Sequence, residues 1–218
     1  MYQAMMQRLI LAFVILAAAI TAASFNFAHH ARADEPSSVD EEATIPAADV
    51  KTAVFAGGCF WCIEADFEKL AGVVDVVSGY TGGFVDDPTY EEVSRNRTGH
   101  YEAVKVTFDP KKVSYRALVD YFLRHVDPLD PDGQFCDRGS SYRTAIFVET
   151  ADEFEIATDS KMQAAEQLNA EIVTPILDAA TFWPAEDYHQ DYYKKNKLKY
   201  RYYRTGCGRD RRVRALWG

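Results

Sequence analysis

Two strand–helix–strand patterns in succession constrain this chain more than any other feature. Val104, Val106 and Phe108 alternate with Lys105 and Thr107, the period of a strand with one buried face. Tyr115, Leu118, Val119 and Phe122 follow at helical spacing, opened by Ser114, whose hydroxyl suits an N-cap. Ala145 to Val148 is a continuous apolar run, as in a central strand. The same order occurs upstream: an apolar strand from Thr52 to Ala56, a helix face of Ile63, Phe67 and Leu70, and a strand from Val73 to Val77. Two such units imply a split βαβ, ferredoxin-like arrangement, a two-layer α+β fold with helices packed on one mixed sheet. A polar helix from about Asp152 to Leu168 and a long irregular C-terminal tail rich in tyrosine and charge complete the chain.

The N-terminus reads as an address rather than as fold. Arg8 precedes an apolar stretch from Leu9 to Ala23, and Ala31-Arg32-Ala33 makes a small-residue cleavage site. Residues 1–33 are therefore expected to be a cleavable signal peptide for export, to the periplasm; an uncleaved N-terminal membrane anchor is the alternative. No cysteine precedes Cys59, which excludes a lipid-anchored export signal. Residues 34–50, acidic and poor in large apolar side chains, read as a flexible linker, which leaves residues 51–218 as one catalytic domain without internal repeats. Residues 1–33 hold two of the 24 basic residues and no acidic one, so the exported chain carries 22 basic against 33 acidic side chains. Nucleic acid is thereby disfavoured as a partner.

The sequence Gly57-Gly58-Cys59-Phe60-Trp61-Cys62 stands where the first strand ends and the first helix begins. Unpaired N–H groups at a helix start favour thiolate, so Cys59 is expected to be a nucleophile of lowered pKa; the bland alternative is a buried inert cysteine. A zinc site fails on spacing, because Cys136 and Cys207 stand alone without a second close pair of ligands. Asp127, Asp130, Asp132 and Gly133 imitate a calcium loop, but with Gly133 in register Pro128 falls on the first ligand position, so a turn is expected. A thioredoxin-like redox pair, Cys59 with Cys62, remains the serious rival. Against it stands the bulk of Phe60 and Trp61, which would crowd an exchange partner but would make an apolar pocket beside Cys59.

Six fragments in order, GCFWCIEADFEKLAGV, SGYTGG, PTYEEV, TGHYEAVKVTFDP, CDRGSSYRTAIF and AEDYHQDYY, resemble the A-type peptide methionine sulfoxide reductases from about Thr52 to about Asn196. The resemblance implies an α+β, ferredoxin-related fold and reduction of the S epimer of methionine sulfoxide, free or in peptides. It further implies that Cys59 attacks the sulfoxide sulfur and becomes a sulfenic acid. Glu102 would protonate the oxygen, which requires a desolvated carboxyl of raised pKa. Tyr90 and Tyr142 would hydrogen-bond the oxygen, Phe60 and Trp61 would hold the methyl group, and Asp137 and His189 would be polar neighbours of the substrate. From the residues alone, Glu102 would pass for a solvated strand end, the two tyrosines for packing residues, and His189 for a surface histidine.

A second thiol must then condense with the sulfenic acid. Cys207, flanked by Gly206 and Gly208 in the tail, is the favoured resolving cysteine; Cys62 competes from one helical turn away, and Cys136 is expected near the site but outside the relay. A thioredoxin-like thiol carrier in the same compartment would supply electrons. No dinucleotide motif is present and no metal or organic cofactor is implied. After signal cleavage the protein is expected to be a monomer with no stable membrane insertion. Two other classes fit the same cysteines: a CxxC thiol-disulfide oxidoreductase and a non-catalytic module that binds sulfoxide peptides.

Overall fold

Strands β1 (Lys51–Gly57) and β3 (Tyr101–Phe108) pair antiparallel with Phe55 opposite Val104, and this register turns Phe55, Val104 and Val106 to one face. The structure is a computed structural model that describes residues 49–218. The expected signal peptide and nearly all of the expected linker lie outside the described residues. Among those described, no helix is long and apolar enough to cross a membrane.

The remaining elements are, in order, α1 (Phe60–Phe67), β2 (Val73–Thr81), α2 (Tyr90–Ser94), α3 (Tyr115–Leu123), β4 (Gly133–Gln134), β5 (Asp137–Arg138), β6 (Thr144–Val148), α4 (Ala151–Leu168), β7 (Ile176–Asp178) and β8 (Trp183–Pro184). The sheet order is β7-β6-β1-β3-β2-β8, with all neighbours antiparallel except the parallel pair β6–β7. Its central four strands, β6-β1-β3-β2, have the split βαβ connectivity anticipated from the sequence. The Ser114 hydroxyl accepts from the Ala117 N–H at 3.2 Å and opens α3, while Thr150 does the same for α4 through Glu153. The helix layer buries Ile63, Phe67, Leu118 and Phe122 against Phe55, Val104, Val106 and Ile146. Burying each large apolar side chain of this kind stabilises the fold by about 1.5–3 kcal/mol.

The C-terminal tail departs from expectation. It is not irregular but forms α5 (Tyr192–Lys195), α6 (Lys197–Gly206) and α7 (Arg209–Trp217). These helices dock mainly through polar groups. Arg204 of α6 reaches Asp66 of α1 at 2.9 Å, and Arg209, 2% exposed, donates to the carbonyls of Gly57 at 3.2 Å and His125 at 2.9 Å. A face of tyrosine and arginine leaves little hydrophobic period to read, which is why the sequence conceals these helices. The acidic loop is a turn: Asp127 accepts from the Leu129 N–H and Asp130 from the Asp132 N–H, both at 3.1 Å.

Candidate active site

Gly57 and Gly58 carry the chain from β1 into α1 through a space that admits no side chain. A Cβ on Gly57 would lie 2.5 Å from Ile63 Cδ1, and one on Gly58, whose φ is +79°, 2.5 Å from Gln134 Cβ. Only glycine accepts both the crowding and the left-handed backbone. Cys59 follows as the N-cap residue of α1, and its carbonyl accepts the Cys62 N–H at 3.0 Å. Cys59 and Cys62 lie in one buried cluster, 5% and 2% exposed. Burial pushes the Cys59 thiol well above its ordinary value. The expectation of a thiol lowered by the helix start is therefore corrected, since in this arrangement desolvation outweighs it. Cys62 is instead held down, by the hydrogen bond from Cys59 and by the charges of Arg209 and Arg204.

Glu102, near the start of β3, is 2% exposed, and its Oε2 accepts the otherwise unpaired Phe60 N–H of the first turn of α1 at 3.1 Å. Burial pushes the carboxyl up to about 8, against the lowering effect of that hydrogen bond. It is therefore a proton donor at neutral pH. Tyr90 opens α2, behind a capping box formed by Thr89 and Glu92, and its N–H donates to Glu186 Oε1 at 2.9 Å. Its phenol is close enough to that of Tyr142, from the 3₁₀ turn Ser140–Tyr142, for each to shift the other's titration. Burial raises both phenols, Tyr90 to about 12, with the Glu102 carboxyl adding to each shift. Both thus remain protonated donors.

An aromatic wall stands beside Cys59. The Phe60 ring lies 6.3 Å from Trp61, 5.8 Å from Tyr80, 6.3 Å from Tyr90 and 5.0 Å from His189. The Trp61 Nε1–H donates to His189 Nδ1 at 3.0 Å, so the neutral imidazole carries its proton on Nε2. Burial pushes His189 down to about 4 and keeps it neutral. Tyr192 stacks on Trp61 with centroids 3.8 Å apart and an interplanar angle of 8°. Glu64 of α1 fixes the turn between His189 and Tyr192 by accepting the Asp191 N–H at 3.0 Å.

The C-terminal helices close the other side. The Tyr203 hydroxyl of α6 donates to Asp137 Oδ2, its side chain packs against the cluster of Cys59 and Cys62, and its ring meets the edge of Trp61 at 6.0 Å. Burial raises the Asp137 carboxyl, with the Tyr203 hydrogen bond opposing. Beside this contact Cys136 and Cys207 form a disulfide with Cα atoms 4.9 Å apart.

The family model described as peptide methionine sulfoxide reductase matches residues 51–218. The chain belongs to that family. It is 52% identical over 172 residues to peptide methionine sulfoxide reductase MsrA 2 of Rhizobium meliloti, covering 79% of this chain and 86% of that protein. It is 50% identical over 187 residues to MsrA/MsrB of Vibrio cholerae, covering 84% of this chain but only 48% of that longer protein. Mxr1 from Saccharomyces cerevisiae in reduced form is a structural relative, with TM-score 0.67 and 29% identity, covering 71% of this chain and 90% of that one.

In this peptide methionine sulfoxide reductase, Phe60, Trp61, Tyr90, Glu102 and His189 are linked by hydrogen bonds and ring contacts, Trp61 packs against the buried Cys59 and Cys62, and Asp137 and Tyr142 stand near enough to Glu102 and Tyr90 to shift their titration. Cys207 joins it differently from expectation. It is bonded to Cys136, while Cys62 is free and buried in one cluster with Cys59. Cys136, expected outside the relay, is the partner of the tail cysteine. Tyr203 was not singled out from the sequence, although it lies one helical turn before Cys207. Arg204, Arg209 and Glu186 carried no signal beyond ordinary surface charge.

Proposed function

We propose that the protein reduces the S epimer of methionine sulfoxide, in proteins and peptides and as the free amino acid, to methionine. The observation that carries this is the neutral buried carboxyl of Glu102 bonded to the residue after Cys59, with two protonated phenols beside it. A sulfoxide oxygen leaves sulfur only when it is protonated, and a carboxyl retaining its proton to about pH 8 provides that proton. The Cys59 sulfur attacks the sulfoxide sulfur while Tyr90 and Tyr142 hydrogen-bond the oxygen. Phe60 and Trp61 wall the methyl group, with Asp137 and His189 as polar neighbours. The oxygen passes to Cys59 as a sulfenic acid and methionine leaves.

Cys62 is then the first thiol in reach. Residues three apart at a helix start lie about 5–6 Å apart at Cβ, and small adjustments bring them into the disulfide range. Condensation of the sulfenic acid with the Cys62 thiol releases water and forms a Cys59–Cys62 disulfide. In this reading Cys62 rather than Cys207 resolves the sulfenic acid, because Cys62 is free beside Cys59 while Cys207 is bonded to Cys136. A thioredoxin-like dithiol carrier returns both thiols and is itself oxidised. Export through residues 1–33 places the reaction and its carrier in the periplasm, with the protein a monomer there, free of nucleic acid and of stable membrane insertion. Methionine formation from each sulfoxide epimer with dithiothreitol tests the function: the S epimer should be consumed and the R epimer left. Disulfide exchange without methionine formation would instead make the protein a CxxC oxidoreductase.

A further inference from the structure

The catalytic sulfur is covered, and what covers it is tied down by a bond that a thiol can break. Cys59 and Glu102 are 5% and 2% exposed, so little of either is open to a ligand in this arrangement. Tyr203 packs against the buried cluster that holds Cys59 and Cys62, and its phenol donates to the Asp137 carboxylate.

Two ties hold Tyr203 there, and they run in parallel between the same segments. One is its hydrogen bond to Asp137 on the β4–β5 hairpin. The other is the disulfide from Cys136, the residue before Asp137, to Cys207, whose N–H donates to the Tyr203 carbonyl at 2.9 Å one turn further along α6. Tyr203 and Cys207, four apart, share one side of α6. Arg204, on another side, is anchored to Asp66 at 2.9 Å and to Asp210 at 2.6 Å. Gly208, with φ of +71°, joins α6 to α7. The helix is thus held at one edge by ion pairs and at the other by a bond that depends on redox state. Cys136 is exposed and Cys207 half-buried, so the disulfide is open to attack while Cys59 is not.

We propose that the Cys136–Cys207 disulfide is a redox latch that keeps Tyr203 seated over Cys59, and that its reduction opens the site to sulfoxide. The proposal rests on the reading of the site as a sulfoxide reductase. A thiolate of a dithiol carrier attacks the Cys136 sulfur and Cys207 leaves as thiolate. The second carrier thiol then displaces Cys136, so the carrier is oxidised by two electrons and two free cysteines remain. With that tie gone, α6 rolls about its Arg204 edge and the substrate displaces the phenol. The closed form thereby shields Cys59 from over-oxidation while carrier is scarce.

The test is the alkylation rate of Cys59 by iodoacetamide, read by peptide mass in a Cys62→Ser background that prevents a Cys59–Cys62 bond. With the Cys136–Cys207 bond intact the rate should be at least about tenfold lower than after mild reduction, because only the locally opened population reacts. Adding Cys136→Ser and Cys207→Ser should give the fast rate without reduction, as should Tyr203→Ala with the disulfide intact. Reoxidation of the reduced protein should restore the slow rate. Equal rates in all forms, or a gain that reoxidation does not reverse, would overturn the latch. Methionine release from the S epimer by the same proteins separates the two claims. If no form releases methionine the activity is wrong, and the alkylation rates still decide the latch.

Discussion

Glu102 and Tyr203 approach the start of α1 from different parts of the fold. Glu102 comes from the third strand of the sheet, among Val104 and Val106, and its one hydrogen bond from the Phe60 N–H is fixed by the packing of α1 on that sheet. Tyr203 comes from a C-terminal helix held by ion pairs and a disulfide. The difference separates two tasks. A proton donor must keep a dry, constant environment to stay neutral at pH 7, and a hydrophobic scaffold provides it. A cover must be able to leave, and polar or redox-sensitive ties allow that.

Breaking the sheet side should have the largest effects. Cys59→Ser should abolish methionine formation, measured with dithiothreitol as reductant. Glu102→Gln should slow the first chemical step by about two to four orders of magnitude in single-turnover methionine release, the range for losing a general acid. For the wild type that rate should fall as pH rises through about 8, as the carboxyl gives up its proton. Stability should move the same way. The unfolded carboxyl ionises near its ordinary value of about 4.3 whereas the folded one holds its proton to about 8, so the folded state binds more protons between these values. Thermal stability should therefore decline across that window, and less so in Glu102→Gln.

Breaking the C-terminal side should cost stability before chemistry. Asp66→Asn leaves the buried Arg209 and the Arg204 guanidinium without their shared carboxylate, and should destabilise by about 3–5 kcal/mol in chemical denaturation, as for other disrupted buried pairs. The smallest effect should come from Tyr192→Leu. It removes the stack on Trp61 and should lower stability by about 0.5–1.5 kcal/mol while leaving the sheet-side acid in place.

The same division governs what could be read in advance. The sheet and α1, α3 and α4 were legible because apolar periodicity and Ser114 and the alternation of β3 state them locally. The burial of Glu102 was not, since a glutamate at a strand end looks solvated until a neighbouring helix is laid over it. Resemblance to a family supplied what periodicity lacked for Tyr90, Tyr142 and His189. The tail was misread because its helices turn tyrosine and arginine inward, and the Cys136–Cys207 bond joins residues 71 apart with no local mark of either partner.

Transfer of the sulfoxide oxygen to Cys59 leaves a sulfenic acid that can be trapped. In Cys62→Ser, Cys136→Ser, Cys207→Ser protein, which keeps Cys59 as its one thiol, one turnover on the S epimer in the presence of dimedone should leave one dimedone adduct on Cys59 for each methionine released. Methionine formed without an adduct on Cys59 would contradict that transfer.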